Sequence, residues 1–135
     1  MNNYKDLIVW KKSVDLAVSI YKTTQTFPKS EQFALSSQVQ RAGSSIAANI
    51  AEGAGRNSDK EFVHFLSIAL GSLYETETHL IIAQKIGYIS EELINELSLI
   101  IVENRQNDQG APKIQNIMLY LSQYLLLSTQ YYLYV

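Results

Sequence analysis

Pro28 and Pro112 are the only prolines in the chain, and the 83 residues between them, positions 29–111, contain none. No other feature narrows the fold as much. A proline inside a helix removes a backbone hydrogen bond and clashes with the preceding turn, so a long proline-free run rich in Leu, Ile, Ala, Glu, Gln and Lys favours helix. No segment alternates with a two-residue period, and no Asn-Gly turn joins two apolar runs. No sheet is therefore expected.

The first helix is expected over about 6–23, with Leu7, Trp10, Val14, Ala17 and Tyr21 at three- and four-residue steps forming its inner face. It must stop before Phe27-Pro28, because proline disfavours helical geometry in the residue ahead of it. Ser30 is the expected N-cap of a second helix over 31–52, with Leu35, Val39, Ala42, Ile46 and Ile50 inward and Gly53-Ala54-Gly55 as its break. Ser58-Asp59-Lys60-Glu61 reads as a capping box. It opens a third helix over 59–86 that buries Phe62, Leu66, Ala69, Leu73, Thr76, Leu80 and Ala83 and stops at Gly87 in a left-handed position. Ser90-Glu91-Glu92 caps a fourth helix over 91–106. A loop at 107–112 then leads to a helical extension over 113–130. Short loops between long amphipathic helices give antiparallel neighbours. The expectation is an all-α, single-domain protein over 1–135: an antiparallel up-down four-helix bundle with a divergent C-terminal helical extension.

Composition fits one packed domain of 135 residues and 15.3 kDa: 47% of residues are hydrophobic and 18% charged. A net charge of -2 and a pI near 5.6 give no strong electrostatic reason to expect nucleic acid. No cysteine is present, which excludes disulfides, thiolate zinc sites and a cysteine nucleophile. The first residues show no basic segment followed by an apolar run, so a cytoplasmic location is expected.

Several stretches resemble the four-helix-bundle family named for reading frames inside intervening sequences of bacterial large-subunit ribosomal RNA genes. They are Asp6-Leu7-Ile8-Val9-Trp10-Lys11-Lys12, Phe27-Pro28-Lys29-Ser30-Glu31, Gln38-Val39-Gln40-Arg41-Ala42, Ser45-Ile46-Ala47-Ala48-Asn49-Ile50-Ala51-Glu52-Gly53 and Gly71-Ser72-Leu73-Tyr74-Glu75. The resemblance covers roughly Tyr4 to Ser90. It implies a homo-oligomeric ring, a homopentamer, with no enzymatic activity and no cofactor, and RNA or DNA binding as the usual suggestion for its role. The related accessory proteins of diversity-generating retroelements are basic, unlike this chain. Family members also finish the fourth helix with a lysine-bearing turn, whereas nothing after Lys113 here is charged.

One polar line stands out. Gln38, Arg41, Ser45, Asn49 and Glu52, spaced three, four, four and three, share a face of the second helix. That face borders the apolar stripe, among small residues that admit a close neighbour. Counting along two antiparallel helices predicts an Arg41–Glu75 ion pair with Ser72 and Gln38 nearby. This line is read as a register device or an oligomer contact; a small-ligand site at the Arg41–Glu75 seam is the alternative. Gly53-Ala54-Gly55-Arg56 follows a helix and lacks a Lys-Ser/Thr pair, so it reads as a tight turn and not a phosphate loop, with Arg56 placed to bridge to Glu52.

The charge is uneven. Residues 1–60 hold eight basic and five acidic side chains, net +3, and residues 61–135 hold three and eight, net -5. Lys11, Lys12, Lys22 and Arg56 are the candidate nucleic-acid contacts, strengthened by repetition in a ring. Glu75 and His79 lie one turn apart, but two ligands make no metal site. No Ser-His-Asp or paired-carboxylate arrangement emerges. The uncharged stretch 114–135 has too many Gln, Asn, Ser and Thr for membrane insertion and reads as bundle core continuing into an oligomer contact. The sequence thus predicts a non-enzymatic binding or scaffold module with no metal, cofactor or membrane partner.

Overall fold

Two reversals of direction organise the chain, one around Pro28 and one around Gly55. The structure, a computed structural model, describes residues 3–91. A 3₁₀ turn at Tyr4–Asp6 leads into α1 (Ile8–Thr24), a second 3₁₀ turn at Lys29–Glu31 leads into α2 (Leu35–Ala54), and α3 spans Asp59–Lys85. All regular structure among the described residues is helical. The expected helices over 91–106 and 113–130, the loop 107–112 and the apolar stretch 114–135 lie outside the described residues, Glu91 excepted.

Helix α2 lies in the middle, packed on both neighbours, and α1 and α3 flank it with their backbones apart and their side chains in the same core. Antiparallel packing of α1 and α2 shows in the pairing of Thr24 with Gln40 and of Ile20 with Gly43. Two glycines set how close the helices come. A Cβ on Gly43 would sit 2.5 Å from Ile20 Cδ1, and one on Gly53 would sit 2.6 Å from Phe65 Cβ. The core joins Val9, Leu16 and Ile20 of α1 to Val39, Ile46 and Ile50 of α2 and Leu66, Leu73 and Leu80 of α3. Removing a side chain of that size from water stabilises by about 1.5–3 kcal/mol.

The α2 and α3 faces follow the sequence expectation closely; that of α1 does not. Val9, Ser13, Leu16, Ile20 and Thr24 are buried, while Leu7, Trp10, Val14 and Ala17 are half-buried and Tyr21 is exposed. The face is turned by roughly a quarter of a turn, at 100° per residue. The reason is that Ser13 and Thr24 bury at little cost: their hydroxyls donate to the carbonyls one turn back, of Val9 at 2.5 Å and Ile20 at 2.9 Å. Thr24 Oγ1 also accepts from Gln40 Nε2 at 2.8 Å, joining α1 to α2.

Helix ends explain the remaining boundary differences. Ser30 is not an N-cap, because it sits inside the 3₁₀ turn; the Glu31 carboxylate instead accepts from the Leu35 amide at 3.1 Å, and α2 begins there. At the other end α2 runs through Gly53 and Ala54, so Gly53 is a buried packing position and not the break. Ser58 caps α3, its Oγ accepting from the Glu61 amide at 3.2 Å. Gly87, at φ +88°, ends α3. Its amide donates to Gln84 and that of Tyr88 to Ala83 at 2.8 Å, the double bond of a left-handed helix terminus.

Candidate functional site

The polar line of α2 comes against α3 at the end nearest their turn, where Gly53 packs on Phe65 and Arg56 covers its ring. On α2, Gln38, Arg41 and Glu52 are exposed and Ser45 and Asn49 half-buried. Asn49 Nδ2 donates to the Ser45 carbonyl at 2.8 Å, within its own helix. The line is therefore not sealed from water within one protomer. Its lower end is organised locally: the expected Glu52–Arg56 ion pair forms, with both partners substantially exposed. The Arg56 guanidinium also lies 4.8 Å from the centre of the Phe65 ring, a cation–π contact that leans it onto α3.

The Arg41–Glu75 ion pair does not form among the described residues. Glu75 Oε1 faces His79 Nε2 at 3.6 Å on its own helix, and Arg41 is exposed. Both side chains reach water, where an ion pair across two helices gains too little to hold two long side chains in one geometry. The register device expected from an Arg41–Glu75 pair is therefore absent from this surface. Ser72 is half-buried beside this surface, and its carbonyl accepts from Thr76 Oγ1. His79 is the unusual member: its Nε2 is buried, 3.6 Å from the carboxylate, within reach of charge but beyond hydrogen bonding.

A second stripe on α3 escaped the sequence reading. Phe65, Ile68, Ser72, Glu75, His79, Ile82 and Ile86 follow three-four-three-four-three-four spacing, next to the core line. Ile68, Ile82 and Ile86 are exposed. The spacing was the available signal, hidden because the core line has the same period. Helix α1 carries a comparable outer stripe, Ile8, Lys11, Asp15, Val18 and Lys22, all exposed. Phe33, in the turn before α2, is 90% exposed.

The proposed nucleic-acid contacts are not gathered. Lys11 and Lys22 share the outer face of α1 with Asp15 between them. Lys12 lies about 100° round the helix and is half-buried. Arg56 sits in the α2–α3 turn and is paired. Among the described residues no three metal-ligating side chains cluster, and no helix is long and apolar enough to cross a membrane.

At the opposite end from the α2–α3 turn, Tyr88 closes the structure. Its hydroxyl donates to Glu31 Oε1 at 3.1 Å, and its ring lies 5.2 Å from that of buried Phe27. Partial burial, with the hydrogen bond and negative charge of Glu31, pushes the Tyr88 hydroxyl above its ordinary pKa.

Compared with known families, the chain matches the model of the 23S rRNA-intervening sequence protein over residues 5–107. No curated protein matches it.

Proposed function

Because the chain belongs to the 23S rRNA-intervening sequence protein family, we propose that it is a non-enzymatic binding or scaffold module whose working form is a homo-oligomer. In this reading a fourth helix completes the bundle, five copies form a ring in the cytoplasm, and no cofactor or metal takes part. The observation that supports assembly is the amount of apolar surface left exposed away from the core that α1, α2 and α3 share. Ile8, Val18, Tyr21, Phe33, Ile68, Ile82 and Ile86 are all 39% exposed or more, on the outer faces of α1 and α3 and in the segments that adjoin the helices. Exposed apolar side chains in stripes mark surfaces that another chain covers. Sedimentation velocity of the full-length chain at micromolar concentration tests this: a species several times 15.3 kDa is expected, and a stable monomer overturns it.

A second reading is a ring that binds RNA or DNA. The family's name connects it with ribosomal RNA, and Lys11 and Lys22 are both exposed on one face of α1. Titration with a structured RNA across salt concentrations decides it. Binding that weakens steeply with salt supports the reading, and no binding at low salt ends it.

A further inference from the structure

We infer that copies of this chain associate head to tail, with the outer stripe of α1 on one copy packed against the outer stripe of α3 on the next. The inference rests on the homo-oligomer reading and names its contact surfaces. Each stripe places a charge between two exposed apolar residues: Lys11 between Ile8 and Val18, and Glu75 between Ile68 and Ile82. At 1.5 Å per residue the apolar pairs are about 15 and 21 Å apart. Stripes of these lengths overlap along two packed helices with Lys11 within side-chain reach of Glu75.

The remaining charges agree in sign. Asp15 follows Lys11 on the α1 stripe, and Arg41, exposed on α2, has no ion-pair partner among the described residues and supplies a positive charge on the helix packed against α3. A second copy is the occupant because both halves of the match are on this chain, on faces of α1 and α3 turned away from the core the two helices share. A nucleic acid fits less well, since Asp15 interrupts the lysines and Glu75 repels phosphate. Two different surfaces in contact make a heterologous interface, which closes into a ring when the rotation between copies allows.

The test is a charge exchange in the full-length chain. Lys11→Glu and Glu75→Lys each place like charges opposite one another and should raise the concentration for half-dissociation about tenfold or more. The double variant restores opposite charges and should return it towards wild type. Both positions are exposed, and unchanged circular dichroism confirms that the variants fold. A wild type that is already monomeric removes the homo-oligomer reading itself. A wild-type oligomer that the single changes leave intact, or that the double variant fails to restore, overturns this interface and leaves that reading standing.

Discussion

Gly43 and Gly53 sit at similar close approaches and carry different consequences. At Gly43 the obstacle to a Cβ is the tip of Ile20, which can turn aside; at Gly53 it is Phe65 Cβ, fixed to its own backbone, with Phe62 Cδ2 at 3.0 Å. Alanine gains up to about 1 kcal/mol in helix propensity over glycine, against an overpacking cost of about 1–3 kcal/mol. Gly53→Ala should therefore destabilise by roughly 1–2 kcal/mol, and Gly43→Ala should stay within about 1 kcal/mol of wild type, both read from urea unfolding. Tyr88 supports a prediction about pH. Its folded pKa is raised, so its contribution is complete below the unfolded tyrosine value and is lost as pH rises through the folded one. The stability difference between wild type and Tyr88→Phe should hold steady up to about pH 10 and narrow above it. A difference that does not change above that point contradicts the Tyr88–Glu31 contact.

Element boundaries are decided by a few local bonds. Ser58 at the start of α3 and Gly87 at its end were both legible, because a hydroxyl three residues before a glutamate and a glycine after an apolar stripe satisfy orphan amides and carbonyls without help from the rest of the chain. Ser58→Ala should cost about 1 kcal/mol. Gly87→Ala forces a side chain into left-handed backbone and should cost about 1–2 kcal/mol. Thermal melts of the two variants check both values, and a Gly87→Ala protein as stable as wild type would show that the turn relaxes. The start of α2 was misread for the complementary reason. Ser30 has the right chemistry, but the backbone after Pro28 forms a 3₁₀ turn, and Glu31, also bonded to Tyr88 across 57 positions, supplies the cap.

For the whole molecule, α2 is a hub and its two partners keep outward stripes that a single described chain leaves in water. Sedimentation of the charge-exchanged variants is the measurement proper to this scale. Helical class, helix number over residues 3–91, the core lines of α2 and α3 and the Glu52–Arg56 pair were legible in the sequence, because each depends on spacing within one helix. Which face of α1 turned inward was not, since a buried Ser13 or Thr24 looks polar until its hydroxyl finds a carbonyl on its own helix. Neither was the fate of Arg41 and Glu75. Distance along two helices can be counted from residue numbers, but relative rotation about their axes follows from how Gly53 meets Phe65 and Gly43 meets Ile20. Periodicity within a segment is a property of the chain; rotation between segments is settled only by the side chains that meet when they pack.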